Sequence, residues 1–259
     1  MSGEPWPLVR SVVDRDEVDS TSDLARALVL AGESSLPILV RARRQSKGRG
    51  RGENAWWSDE GSLTFTIALD ASAFRLQTAQ HPRLALAAAV AVVEAVAPHV
   101  PATKRLGIRW PNDVECAGRK LGGILPERVE TPQGVRLLIG VGLNVLTRFD
   151  QAPPAIRTMA ASLADDVPPR AGGPDRDRLL AAILTGFVSI LPLLADDDPS
   201  LAERWAALDL LRGQPIRVDL GIRIVSGRGA GIDAEGALLV ATDQGTERLF
   251  GGQVLRGDP

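Results

Sequence analysis

The sequence predicts an α+β fold with a mixed sheet, on three observations. Helix-like and strand-like segments follow one another without the regular strand–helix alternation of a doubly wound parallel sheet. The middle of the chain reads as strands joined by tight hairpins, and from Gly213 onward the texture changes to short strands punctuated by glycine. The chain has 259 residues, 44% hydrophobic and 24% charged, an ordinary soluble globular balance with enough material for one large domain and one small one.

The elements follow in order. Thr21, Ser22 and Asp23 precede L-A-R-A-L-V-L-A-G, the pattern of an N-cap followed by a helix ending at Gly32. Pro37 to Arg43 predicts a strand. Ser62 to Leu69 (S-L-T-F-T-I-A-L) alternates polar and apolar residues, as a half-buried strand does. Leu84 to Val96 is rich in Ala and Val with almost no polar face until Glu94, which predicts a core helix packed on both sides. R-L-G-I-R-W-P-N-D-V-E-C, A-G-R-K-L-G-G-I-L-P-E and G-V-R-L-L-I-G-V-G-L-N-V look like strands, with hairpins at Ala117-Gly118 and Pro132-Gln133-Gly134. Phe149 to Pro174, rich in Pro, Ala and Asp, predicts a mobile surface connection. Asp175 to Leu194 and Ser200 to Leu211 predict two helices. The remaining short strands, with a turn at Asp233-Ala234-Glu235-Gly236, suggest a small barrel. Two domains are expected, 1–211 and 212–259.

Composition narrows the function. A formal net charge of -2 gives no global basic field to attract nucleic acid. Cys116 is the single cysteine, which excludes an intrachain disulfide and a cysteine-based zinc site. His81 and His99 are the only histidines, so catalysis on a histidine base is disfavoured. The N-terminal M-S-G-E-P-W-P lacks the regions of a signal peptide, and the longest apolar run, Leu84 to Val93, is ten residues, short of a bilayer span. A cytoplasmic protein without nucleic-acid or membrane partners is expected. Against 27 arginines stand three lysines, Lys47, Lys104 and Lys120, and a position that keeps lysine against that bias is a candidate for function.

Five stretches could carry chemistry. Q-S-K-G-R-G-R-G-E-N-A-W-W places Gly48, Arg49, Gly50, Arg51 and Gly52 between two predicted strands, with Trp56 and Trp57 behind them. Glycines let backbone N–H groups approach a ligand and arginines supply forked donors for an anion. The other reading is a flexible arginine–glycine tract, but such tracts run longer and rarely sit between core strands. In Arg109-Trp110-Pro111-Asn112-Asp113 the proline ends the strand, so that Asn112 and Asp113 emerge toward a ligand or metal; Asn-Asp after Pro is also a plain turn, and Trp110 suits core packing. Lys120, beside Gly122 and Gly123, is either an ammonium aimed at an anion or a strand-edge lysine snorkelling to solvent. Gly140-Val141-Gly142-Leu143-Asn144 marks either close approach of a ligand, with Asn144 facing a base edge, or a small-residue packing strip. Ser20, Thr21 and Ser22 bind a polar head group or simply cap a helix.

Taken together and in order, these stretches resemble the bacterial biotin-protein ligases that act on acetyl-CoA carboxylase. The likeness runs from about Asp19 to the C-terminus. The family's Ser-Thr-Asn is similar to Ser20-Thr21-Ser22, and its Gln-x-x-Gly-Arg-Gly-Arg with a following tryptophan to Gln45, Gly48, Arg49, Gly50, Arg51 and Trp56. Its Lys-Trp-Pro-Asn-Asp matches Arg109 to Asp113, its Lys-Leu-x-Gly-Ile-Leu-x-Glu matches Lys120 to Glu127, and its Gly-x-Gly-x-Asn matches Gly140, Gly142 and Asn144. The barrel pattern resembles Ala230-Gly231-Ile232-Asp233 through Leu239. Ser22 in place of Asn loses an amide, Arg109 replaces lysine, and Gly52 with Glu53 stands where an arginine is usual. The last departure predicts a freer, less positive loop that retains its intermediate less well. Only about 18 residues precede Asp19, so the family's N-terminal DNA-binding domain is not expected.

The resemblance implies a catalytic domain like a class II aminoacyl-tRNA synthetase core with a C-terminal SH3-like barrel. It implies two steps: biotin carboxylate attacks the α-phosphorus of ATP, with Mg²⁺, to give biotinyl-5′-adenylate, and a lysine of the biotin carboxyl carrier protein then takes the biotin. Ser20, Thr21, Ser22, Gln45, Gly48, Arg49, Gly50, Arg51 and Lys120 would bind biotin. Arg51, Trp56, Arg109, Asn112, Asp113, Lys120 and Asn144 would bind ATP or the adenylate. Lys120, Arg51, Asp113 and Arg109 would be catalytic, Asp113 a magnesium ligand, and the protein a monomer or homodimer. A lipoate-protein ligase of the same fold and a non-catalytic nucleic-acid binder remain as alternatives.

Overall fold

A computed structural model describes residues 6–166 and 173–256. Two sheets organise it. The larger is built from β1 (Ser11–Val18), β2 (Ile38–Gln45), β3 (Ser62–Asp70), β4 (Leu106–Arg109), β5 (Asp113–Cys116), β6 (Arg119–Thr131) and β7 (Gly134–Asn144), ordered β1-β2-β3-β7-β6-β5-β4. Only β1 and β2 pair in parallel; the other neighbours are antiparallel, which makes the sheet mixed as expected. Helix α1 (Thr21–Leu30) covers one face. Helices α2 (Leu84–Val96), α4 (Arg176–Ala195) and α5 (Pro199–Ala207) form the layer on the other, and the short α3 (Pro154–Met159) lies beside β6. The smaller sheet is antiparallel: β8 (Pro215–Asp219), β9 (Ile224–Ile232), β10 (Leu238–Thr242), β11 (Gly245–Leu249) and β12 (Gln253–Val254), ordered β11-β10-β9-β8-β12.

Strand β3 shows how sequence period becomes a site. Leu63, Phe65, Ile67 and Leu69 join the core under α2. The alternate residues Thr64 and Thr66 face the α1 side and are also buried, at 1% and 0% exposure, so the strand is covered on both faces rather than one. A buried hydroxyl must find a partner. Thr64 donates to the Ala42 carbonyl, and Thr66 donates to the Thr21 hydroxyl at 2.9 Å. The polar half of the alternation is therefore turned toward β2 and α1 instead of open solvent.

The helix boundaries differ from the sequence expectation where side chains compete for caps. Helix α1 begins one turn early: Ser20 is the N-cap, accepting from the Asp23 amide, and Thr21 to Asp23 lie in the first turn. Helix α5 stops at Ala207. Residues 208–210 then run beside β4, with the Ile108 amide donating to Leu208 O and the Leu210 amide to Ile108 O. That pairing covers the β4 edge of the sheet. Of the stretch expected to be a mobile connection, 154–166 is ordered: α3 and the following turn pack on β6, where the Ala161 amide donates to Lys120 O at 2.8 Å. Residues 167–172 of that stretch lie outside the described residues, as do 1–5 and 257–259.

Helix α2, apolar on every side, packs against the sheet and α4. A second stretch, Arg176–Ala195, is long and apolar enough by composition to cross a membrane, as is Thr78–His99. Both serve as core: Leu180, Ile183, Leu184, Phe187, Ile190 and Leu191 of α4 are buried together with the Ala/Val surface of α2. Each such fully buried side chain contributes about 1.5–3 kcal/mol. The β9–β10 turn of the smaller sheet is tied to the rest of the chain by two indole N–H donors, Trp110 after β4 to Gly236 O at 3.0 Å and Trp205 of α5 to Asp233 O at 3.1 Å. Trp110 is thus core packing, as its sequence context suggested.

Candidate active site

A cleft of about 570 Å³ opens between α1, the Gly/Arg stretch, the β4–β6 hairpins and the C-terminal strand β12. Twelve of the fourteen residues singled out from the sequence line it: Ser20, Thr21, Ser22, Gln45, Arg49, Gly50, Arg51, Trp56, Arg109, Asn112, Asp113 and Lys120. Gly48 and Asn144 do not. Asn144 is 3% exposed, and its amide donates to the carbonyls of Ala161 and Lys120. It braces the backbone of Lys120 beside a separate small cavity of about 110 Å³.

One end of the cleft is neutral. Ser22 Oγ lies 3.1 Å from Thr66 Oγ1, Thr66 donates to Thr21 Oγ1, and the Thr21 hydroxyl and amide both donate to Gln45 Oε1, at 3.1 and 2.8 Å. With its oxygen taken twice, Gln45 keeps its Nε2 donors unpaired among the described residues. Gly140 and Gly142 of β7 form the wall here. A Cβ at Gly140 would press on Ser22 Oγ, and one at Gly142 would overlap the Trp56 ring, so the glycines are required by close approach rather than by strand geometry.

The Gly/Arg stretch is a folded hairpin. Arg49 and Ala55 pair as a bridge, the Gly50 amide donates to Asn54 O at 2.7 Å, and the Trp56 amide to Gly48 O at 2.8 Å. Gly52 sits at the turn with φ +64 and open space around it. Its glycine is explained by the left-handed backbone, which a side chain adopts at a cost. Arg49 is not a free cation. Its guanidinium reaches Asp23 at 2.9 Å and Glu127 at 2.7 Å, and the Glu127 carboxylate raises its pKa above the usual arginine value although burial opposes this. Arg51 donates across the cleft to the carbonyl of Gly252.

The other end is charged. Lys120 Nζ pairs with Asp113 Oδ1 at 2.6 Å and lies 5.7 Å from the centre of the Trp56 ring. Asn112 is committed to the scaffold, its amide donating to Ile124 O at 2.8 Å while the Ile124 amide donates to Asn112 O at 2.9 Å. Arg109 donates to Leu255 O at 3.1 Å and lies 3.8 Å from Glu115, which also takes Arg256. Burial pushes the Glu115 carboxyl up and the Arg109 guanidinium down, and the opposite charges of the cluster resist both shifts. Sequence reasoning missed Glu115, Arg256, Ile156 and Met159. Strand period could have flagged Glu115, two residues from Asp113 in β5; no local signal points to Arg256, which arrives through the packing of the second sheet. Among the described residues no group of three or more His, Cys, Asp or Glu could hold a metal ion. Asp113 is the carboxylate nearest Lys120, and a cation here would need further oxygens from a ligand.

The cleft therefore joins a neutral, hydrogen-bonding recess to a cluster of cations, with Lys120 where the two meet. Comparison with known proteins gives the same organisation a family. The biotin/lipoate A/B protein ligase family model matches residues 16–144 and the biotin protein ligase C-terminal domain model matches 212–257. The biotin–[acetyl-CoA-carboxylase] ligase of Mycobacterium tuberculosis is 31% identical over 90% of this chain and 83% of its own. That of Paracoccus denitrificans is 30% identical over 92% of this chain and 98% of its own. The biotin protein ligase of Aquifex aeolicus in complex with biotin and ATP superposes with a TM-score of 0.78 at 25% identity, covering 95% of this chain and 98% of that one. The chain belongs to the biotin protein ligases of the biotin/lipoate A/B protein ligase family.

Proposed function

We propose that the protein activates biotin with ATP and transfers it to a lysine of the biotin carboxyl carrier protein of acetyl-CoA carboxylase. The observation that carries this reading is the meeting, in one cleft, of a neutral recess and a cation cluster at Lys120. Biotin offers a ureido head and a carboxylate tail. The open Nε2 of Gln45 and the hydroxyls of Thr21 and Ser20 suit the head. Lys120 suits the tail.

Bringing a carboxylate against the α-phosphate sets anion against polyanion, and the site must offset that repulsion and hold the groups in line. Lys120 supplies charge at the reacting centre, and Arg109 and Arg51 supply it along the phosphates. Asp113 positions the Lys120 ammonium and is the protein ligand available to a nucleotide-borne Mg²⁺. Bound there, the ion would neutralise charge on the phosphates. Trp56, seated on Gly142, with the hairpin 48–56 covers the adenylate and keeps water from the anhydride. The reaction needs no nucleophilic side chain, consistent with one buried cysteine and two histidines.

In the same reading, residues 1–211 form a catalytic domain like that of a class II synthetase and 212–259 an SH3-like barrel, and the enzyme works in the cytoplasm as a monomer or homodimer. Lipoate lacks the ureido ring and leaves Gln45 and Thr21 without a ligand. Calorimetry with the two acids, followed by biotin-dependent pyrophosphate release from MgATP, tests the reading. Binding of biotin alone is expected; tighter binding of lipoate contradicts it.

A further inference from the structure

Glu115 is a buried carboxylate that the motifs do not mention. Its side chain is 4% exposed, and it lies between two guanidiniums from different sheets. Arg109 comes from β4 and is 18% exposed; Arg256 follows β12 and is 30% exposed. The cluster is cross-braced, because Arg109 also donates to Leu255 O, next to Arg256, at 3.1 Å, and Arg256 donates to Gly118 O at 3.4 Å, in the hairpin after β5.

The place of this cluster is informative. Arg109 and Arg256 line both the main cleft and a second cavity of about 860 Å³ that opens between β8, β9 and α3. They stand, with Met159 and Leu255, in the wall that the two spaces share. The two guanidiniums carry like charge, and Glu115 is the carboxylate that both of them meet, beside the backbone carbonyls of Leu255 and Gly118. A buried ionic cluster is costly to stability relative to apolar packing, so stability alone gives little reason to keep it. Its charges are instead arranged so that the carboxylate is covered while the two cations border open space.

We propose that Glu115 is a positioning residue for the nucleotide: it holds Arg109 and Arg256 together at the wall of the cleft so that both meet the polyphosphate of ATP. This rests on the ligase reading given above. Glu115 touches no substrate itself. Arg256 reaches the site from the segment that follows β12.

The test is biotin-dependent ATP–pyrophosphate exchange by the full chain, with KM measured separately for MgATP and for biotin, and biotin affinity measured by calorimetry. Glu115→Gln is expected to raise KM for MgATP about tenfold or more, with KM and Kd for biotin within about twofold of wild type. Arg256→Met, at a more exposed position, is expected to give the same nucleotide-selective loss. In the double variant the two effects are expected to add to less than their sum, because Glu115 acts through Arg256. Equal loss for both substrates, or a lower melting temperature with unchanged KM for MgATP, would make Glu115 a structural strap and overturn the proposal. If Glu115→Gln does not fold, Arg256→Met decides on the same readout. If the wild type binds biotin but shows no exchange, the ligase reading fails, and this inference with it; exchange in the wild type with an unchanged Arg256→Met variant sinks the inference alone.

Discussion

At one end of the cleft, Ser22, Thr66, Thr21 and Gln45 pass hydrogen bonds along neutral groups, whereas at the other, Lys120, Arg109 and Arg256 are each held by a carboxylate. The neutral end comes from α1, β2 and β3, whose partners are set by sheet register. The charged end is assembled from β4, β5, β6 and the C-terminal segment, with Glu115 and Arg256 separated by 141 positions in sequence. Neutral hydrogen bonds select by shape and pairing and ignore salt. Fixed charges act at longer range and are screened. The two halves of one reaction are thereby given different physics.

The largest effect is expected where the ends meet. Lys120→Ala should lower adenylate formation by about 10²–10³-fold or more, on the scale of losing a preorganised donor to a developing charge. Its melting temperature should stay close to that of the wild type, because the ammonium is partly exposed at the cleft. Pyrophosphate release measures it; release at the wild-type rate would remove Lys120 from the chemistry.

Next comes the neutral end. Gln45→Ala leaves the Thr21 amide and hydroxyl without their acceptor and removes the open donor. Biotin affinity is expected to fall by about 1–3 kcal/mol. Raising ionic strength should leave the biotin Kd of the wild type nearly constant while KM for MgATP rises. Calorimetry and exchange kinetics at two salt concentrations check both statements, and parallel salt dependence of the two substrates would erase the distinction between the ends.

A smaller effect is expected in the hairpin. Gly52→Arg adds a third arginine to the hairpin, but at φ +64 it should cost about 1 kcal/mol of stability. A thermal melt that rises instead would show that the added charge outweighs the backbone.

The smallest lies outside the cleft. Burial pushes Asp70 up, yet the Ser72 hydroxyl and amide, the Ala73 amide and Arg136 outweigh it, so that its carboxyl titrates below the ordinary range. A carboxyl depressed in the folded state stabilises above its unfolded pKa and loses that contribution as pH falls through the folded value. Asp70→Asn should therefore be less stable than wild type at neutral pH, by about 1 kcal/mol, with the gap closing in acid. Denaturant titrations at pH 7 and pH 3 measure it, and biotin affinity should be untouched because Asp70 ends β3 at the edge opposite the cleft.

The same contrast governs what was legible in the sequence. The α+β class, both hairpins of the β5–β7 region, the core helix α2 and most of the cleft lining follow from local period, turn chemistry and motif spacing. Local signals place Ser20 to Ser22 and Gln45 well because α1 and β2 carry them on adjacent elements. They mislead for β3, where alternation implies one wet face and the polar face is instead buried, Thr66 behind Thr21 and Ser22 of the cleft. They also mislead for 154–166, whose proline- and alanine-rich composition hides a segment packed on Lys120 O. Asn112 lines the cleft and Asn144 does not, and the amides of both donate to backbone carbonyls, a commitment that motif spacing does not reveal. Glu115 and Arg256 depend on how the second sheet docks, which no window of sequence contains.

The most direct test is biotin transfer itself: the full chain incubated with biotin, MgATP and a purified biotin carboxyl carrier domain, with labelled acceptor read by avidin binding. Transfer is expected with wild type, dependent on both biotin and MgATP and lost with Lys120→Ala. Absence of transfer to a carrier that another biotin ligase labels would contradict the account.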